Sequence, residues 1–272
     1  MMVRSDSSSC ERYLAQIGVR DTPRATCPFD PGYDPATLEG HMEQSGHLVA
    51  TVKISMACWM VAAEAATRQK ISAVTRLGIP AVAGGGPFEV AVAQRALPEY
   101  LDLCADVGLT RIECGEGFTE LTLAPGEVVR QAGERGLEVE FELGEKHSGR
   151  FTEEQTEELI AVGHRWLEAG AVRLVVEARE SAEDVGLFSA PGELDPRQAD
   201  RLADAFGLER LLFEAPNKAS QFALIDHFGP SVQLGNVRLE EILRVEIYRR
   251  GLHSDAFRRN NLRPRPPAGK SS

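Results

Sequence analysis

Between about residue 24 and residue 257, short β-rich runs alternate with amphipathic segments of roughly 10 to 18 residues, which restricts the chain to repeated βα units around a parallel sheet. Eight runs can be marked, at residues 25–29, 47–53, 80–83, 111–114, 137–143, 173–177, 210–214 and 232–234. Eight strands close a barrel of this kind, so the expected fold class is α/β, a (β/α)8 TIM barrel. An open doubly wound sheet would show the same alternation, but no G-x-G-x-x-G turn follows the first run.

Local signals agree with this periodicity. Asp34-Pro35 reads as an N-cap with proline at the first helical position, and Thr152 with Gln155 forms a capping box that opens a helix over 153–169. Gly170 stops that helix, and Gly78, Gly108 and Gly136 stand likewise between a helical run and the next strand. The expected organisation is a flexible arm over 1–23, one barrel domain over 24–257 and a disordered Pro- and Arg-rich tail over 258–272.

Composition excludes several classes of partner. A net charge of −11 with interspersed Lys and Arg argues against a nucleic-acid surface, which needs a clustered basic face. The N-terminus lacks the apolar core of a signal peptide, and no apolar stretch approaches the roughly 18 residues of a membrane span. Five widely spaced cysteines without a C-x-x-C pair fit a reducing cytoplasm, and Cys58, Cys104 and Cys114 sit in apolar stretches where a thiol behaves as a small hydrophobe.

The chemistry is expected where four successive strands end in or near a glutamate: Glu113, Glu142, Glu177 and Glu214. In a parallel barrel these ends converge on the face where active sites sit. Converged carboxylates repel one another unless a metal ion, Lys or Arg neutralises them, and Lys53, Lys146, Arg179 and Lys218 all stand near strand ends. Mg²⁺ would suit such oxygen ligands. Lys146, in the loop beyond the fifth strand, reads either as a general acid over the pocket or as a solvent lysine. The Gly84-Gly85-Gly86 run reads either as a phosphate-cradling turn or as a turn alone. Glu138, Glu140 and Glu142 share one face of the fifth strand, with Arg111 and Arg173 as their expected partners. The six histidines show no metal-ligand spacing, and no G-x-S-x-G marks a serine nucleophile.

The segments FEAPNKASQFALIDHFGPSVQLGN (213–236) and YRRGLHSDAF (248–257) resemble the phosphosulfolactate synthase family. The likeness extends through EARES (177–181), FELGEKH (141–147), GGGPFE (84–89) and Val52-Lys53, over roughly residues 24 to 257. The resemblance implies a Mg²⁺-dependent, Michael-type addition of sulfite to phosphoenolpyruvate, a small anionic substrate, and a homo-oligomer. It also implies roles. Lys146 would be the proton donor, with Glu142 and Arg179 beside it as catalytic groups. Glu113, Glu142, Glu177 and Glu214 would serve the metal, and Lys53, Gly85, Gly86, Lys218, Asn236 and His253 the substrate.

The chain also departs from the family pattern. Asp30-Pro31-Gly32 replaces Asp-Lys-Gly, a bulky run from Ile54 to Trp59 replaces a small Gly-rich turn, Cys114-Gly115-Glu116-Gly117 replaces Ser-Asp-Gly after Glu113, and His253 stands where an arginine is usual. Two cations of the pattern are therefore absent. The alternatives are a thiol or other nucleophile on the same acceptor, and a non-catalytic, stress-related binding barrel.

Overall fold

The eight expected strands close into one parallel barrel in sequence order, each paired to the next and β8 to β1. The structure is a computed structural model and describes residues 8–145, 149–259 and 261–265. The strands are β1 (Thr26–Asp30), β2 (Val52–Ile54), β3 (Ala81–Ala83), β4 (Arg111–Cys114), β5 (Glu138–Leu143), β6 (Arg173–Val176), β7 (Leu211–Glu214) and β8 (Leu234–Val237). The closed order removes the open doubly wound alternative.

Among the described residues twelve helices occur: α1 (Ser9–Gln16), α2 (Pro35–Ser45), α3 (Cys58–Val61), α4 (Glu64–Thr75), α5 (Gly85–Ala93), α6 (Leu97–Asp106), α7 (Pro125–Gly133), α8 (Glu153–Ala169), α9 (Pro196–Phe206), α10 (Lys218–Phe228), α11 (Ile242–Arg249) and α12 (Ser254–Phe257). Their ends follow the expected chemistry. Asp34 accepts from the amides of Ala36 and Thr37, the Thr152–Gln155 capping box is made, and Gly170 closes α8 at φ 109°. No described helix is long and apolar enough to cross a membrane.

Two strand expectations need correction. The second run, expected over 47–53, is extended only from Val52, because Gly46–Leu48 turns as a 3-10 helix that brings the chain back over β1. The eighth, expected over 232–234, runs instead from Leu234 to Val237, placing Asn236 inside the strand rather than after it. The β1–β8 pairing shifts register between Thr26 and Pro28, where proline has no amide to give the ladder.

Alternation along the strands sorts side chains into the barrel or outward onto the helices. The outward residues and the helix faces form the main core, in which Phe141 stacks on Trp166 with ring centroids 4.3 Å apart. Inside the barrel, Cys27, Val175 and Leu212 form a small apolar layer. Toward the strand N-termini, Glu140 accepts from Arg173 (2.8 Å) and Arg111 (3.3 Å), while Arg111 also reaches the half-exposed Glu138 (2.6 Å). Arg173 donates further to Thr51 (3.0 Å). This end of the interior is charge-balanced, two acids against two arginines.

Burial alone would raise the Glu140 carboxyl, but Arg173 and Arg111 outweigh it and hold the group below the usual range. A carboxyl so depressed adds stability above its unfolded value of about 4.3, and that stability is lost as pH falls through the lower folded value. Glu140→Gln is expected to cost about 3–5 kcal/mol near neutral pH, because it strands two buried guanidinium groups. The loss should shrink in acid. Denaturant titrations of both proteins at neutral and acidic pH check it, and Glu168→Gln at an exposed position of α8 should leave the midpoint unchanged.

Candidate active site

At the opposite end of the barrel the strand-end glutamates meet. Glu113, Glu142, Glu177 and Glu214 are all buried and line one cavity of ≈ 1170 Å³, together with Lys53. Each gets there by the same local logic: it is the inward position at or just past the C-terminal end of a strand whose other inward residues fill the layers below.

Lys53 crosses the barrel from β2 and lies between two of the carboxylates, 2.9 Å from Glu113 and 3.0 Å from Glu214. Burial works against its charge, but Glu113, Glu214 and Glu142 outweigh that and hold the ammonium well above its ordinary pKa. Glu113 also accepts from the Gly85 amide (3.0 Å), and Glu214 from the Ala178 amide (3.1 Å). Even so, burial pushes Glu113 and Glu214 above the usual carboxylate range, and for Glu214 the neighbouring Glu177 carboxyl adds to the shift. Arg179 and Arg238 line the same cavity, so cations and carboxylates share the upper interior.

The loops around this ring are held by two buried acids. Asp30, at the end of β1, accepts from the Gly32 (2.8 Å) and Tyr33 (2.6 Å) amides and pairs with Lys70 of α4 (2.5 Å). Glu89 of α5 accepts from the amides of Gly117 (3.1 Å), Phe118 (2.9 Å) and Thr119 (2.9 Å), and from the Thr119 hydroxyl (3.1 Å). The first sets Pro31 at the rim and the second sets Phe118 there; both line the cavity.

Three non-glycine residues at the rim adopt left-handed backbone conformations: Met56 (φ 51°), Arg179 (φ 55°) and Asn236 (φ 53°). Strain of this kind persists only where surrounding structure over-determines it, and it gathers at ligand sites. The Asn236 side-chain oxygen is buried beside the cavity without a hydrogen-bond partner, a position a donor on a ligand would satisfy.

Of the residues marked from the sequence, the cavity gathers Lys53, Gly85, Gly86, Glu113, Glu142, Glu177, Arg179, Glu214 and Asn236. Lys218 and His253 are not among its lining residues. They meet one another at Phe222: the Lys218 ammonium sits 5.1 Å from the ring centroid, and the His253 ring packs edge-on at 5.1 Å. Lys218 also lies 3.5 Å from Asp255, and His253 caps α12 by accepting from the Asp255 amide. Lys146 lies outside the described residues.

Sequence reading missed Arg238, which follows β8 and lines the cavity with Asn236 and Pro31, adding a cation at the β1–β8 seam. It missed the apolar wall of Met60 and Val61 on α3 as well. An eighth strand ending at Leu234 gives no signal for Arg238, which stands just past the true end of β8 at Val237. A one-turn helix such as α3 is too short to show a period.

Comparison with known proteins fits this geometry. The chain matches the family model described as (2R)-phospho-3-sulfolactate synthase (ComA) over residues 21–255. It is 30% identical over 233 residues to the phosphosulfolactate synthase of Methanocaldococcus jannaschii, covering 85% of this chain and 93% of that one. It is 28% identical over 238 residues to that of Methanothermobacter thermautotrophicus, covering 87% and 92%. Among solved structures it is similar to 3-dehydroquinate dehydratase from Geobacillus kaustophilus, with TM-score 0.52 and 12% identity over 84% of this chain and 91% of that one, a likeness of fold alone.

The buried carboxyls of the ring have a pH signature. A carboxyl whose folded pKa is raised contributes most below its unfolded value and costs stability as pH rises through the folded value. Glu214→Gln removes one such group. Relative to the wild type, its denaturation midpoint should therefore rise as pH is taken from about 5 to about 8; a difference that stays constant or falls would show that burial does not raise the Glu214 carboxyl.

Proposed function

Because the chain belongs to the (2R)-phospho-3-sulfolactate synthase family, we propose that it adds sulfite to phosphoenolpyruvate, forming a carbon–sulfur bond as a Mg²⁺-dependent lyase. The observation that carries this reading is the ring of Glu113, Glu142, Glu177 and Glu214 around Lys53 at the C-terminal mouth of the barrel.

The residues present fit a hard divalent cation. The donors are carboxylate oxygens that converge on one cavity from four strand ends. Among the described residues, no three acid, histidine or cysteine side chains already enclose a metal position. Mg²⁺ does not need such a cage, since it commonly uses one or two carboxylates with water and substrate oxygens. Glu142, Glu177 and Glu214 would hold it. When bound, the ion would supply Lewis-acid stabilisation of the charge that builds on the substrate carboxylate.

The chain's own residues would do the rest. Lys53 and Arg179 would orient the anionic groups of phosphoenolpyruvate, and the first turn of α5 at Gly86, beside the Gly85 amide that Glu113 already holds, would face its phosphate. Sulfite attacks the methylene carbon, negative charge moves toward the substrate carboxylate, and a proton is delivered to the carbon that bears the phosphate. Lys146 is the proposed donor of that proton. The five unpaired thiols support a reducing, cytoplasmic setting.

³¹P NMR of the protein with Mg²⁺, phosphoenolpyruvate and sulfite should show a new phosphate-ester resonance. Lys146→Ala should slow its appearance by about 10²–10⁴-fold, the usual worth of a positioned general acid. Removal of Mg²⁺ with a chelator should abolish it. An unchanged spectrum in the wild type, with phosphoenolpyruvate failing to bind, would remove the synthase reading.

A further inference from the structure

The carboxylate ring occupies only one side of the cavity. A volume of ≈ 1170 Å³ exceeds the roughly 300–1,000 Å³ that buries a drug-sized ligand, and phosphoenolpyruvate with sulfite would fill a small part of it. The remaining space is lined by Met56, Met60, Val61, Val90, Leu103 and Phe118. All six are exposed large apolar side chains; Val61 is 86% and Phe118 50% accessible. They make up nearly half of the thirteen such residues described, gathered at one place. Contiguous apolar surface of this kind marks a binding site.

The walls are built, not incidental. Trp59 is buried beneath α3 and packs against Tyr100 of α6 with ring centroids 6.4 Å apart, and the Thr67 hydroxyl donates to the Trp59 carbonyl (2.9 Å). The opposite wall is fixed by Glu89, whose carboxylate holds the loop that presents Phe118. The two halves of the cavity join at the glycine run. A Cβ on Gly86 would lie 4.0 Å from the Phe118 ring, and one on Gly84 would lie 3.0 Å from the Met56 amide. An apolar group in this annex is thus continuous with a reacting head at the carboxylate ring.

We propose that the annex is a binding subsite for the apolar part of a second class of nucleophile, a thiol carrying an alkyl or aryl group, accepted at the same ring in place of sulfite. The proposal rests on the reading of the ring as a carbon–sulfur-forming synthase. The thiol sulfur bonds to the methylene carbon of phosphoenolpyruvate, the π pair of the double bond moves onto the carbon bearing the phosphate ester, and that carbon takes up one proton, matching the one released from the thiol. The product is a thioether with its phosphate ester intact, and no oxidant or reductant enters. Met56 and Met60 suit such a partner, being unbranched and able to repack around differing chains.

The test uses the full-length protein and two readouts. Calorimetric titration with n-alkyl sulfonates from ethane to hexane should show binding tightening about three- to four-fold per methylene, the worth of a buried CH₂. Phe118→Ser and Val61→Ser, both at exposed positions, should flatten that series. ³¹P NMR should show n-hexanethiol consumed with phosphoenolpyruvate. A flat series in the wild type overturns the annex, as does a flat series accompanied by a change of sedimentation in Val61→Ser, which would make the face a contact between copies of this chain. Hexanethiol left inert while sulfite reacts overturns the thiol assignment. A steep series with no turnover of phosphoenolpyruvate by any nucleophile instead sinks the synthase reading.

Discussion

Charge balance along the barrel axis governs the rest of this molecule. Closing the sheet forces inward side chains from every strand into one poorly solvated column, where each ionised group must find an opposite charge or shift its titration. At the strand N-termini the column is balanced: Glu138 and Glu140 face Arg111 and Arg173. At the C-termini Lys53 serves Glu113 and Glu214 directly, and Glu142, Glu177, Arg179 and Arg238 line the same cavity. The lower set is closed within the fold, whereas the upper set opens onto the space a ligand would enter.

The rim is organised by a related device. Asp30 and Glu89 are carboxylates turned toward loop amides rather than into the cavity, and each holds a segment that would otherwise carry unsatisfied N–H groups. Because these anchors sit on β1 and α5, the loops inherit the rigidity of the barrel. The strained backbone at Met56, Arg179 and Asn236 is tolerable in that setting.

Much of this was legible in the residues. Strand number, the convergence of the four glutamates and the Glu140 network follow from period-two alternation and need no tertiary knowledge. The helix boundaries at Asp34 and Thr152 follow from capping chemistry. What escaped depends on long-range placement. The start of β2 was obscured because the turn at Gly46–Leu48 precedes residues of good β propensity, and the end of β8 because Gly235 and Asn236 carry turn-like signals inside a strand. Lys218 and His253 are separated in sequence by α10, β8 and α11, yet Phe222 and Tyr248 bring them together away from the carboxylates. Nothing in their spacing separates that outcome from a place in the cavity.

The physical separation of ring and wall has a consequence for how such proteins diverge. The ring stands at strand ends, where each glutamate is tied to the layers beneath it, whereas the wall at Met56, Met60 and Val61 belongs to a short connection between β2 and α4, anchored from below by Trp59. Inheritance can rewrite that connection while the strand ends stay as they are. Two descendants of one ancestor could then share every charged group of the reaction and differ entirely in what they will accept beside it.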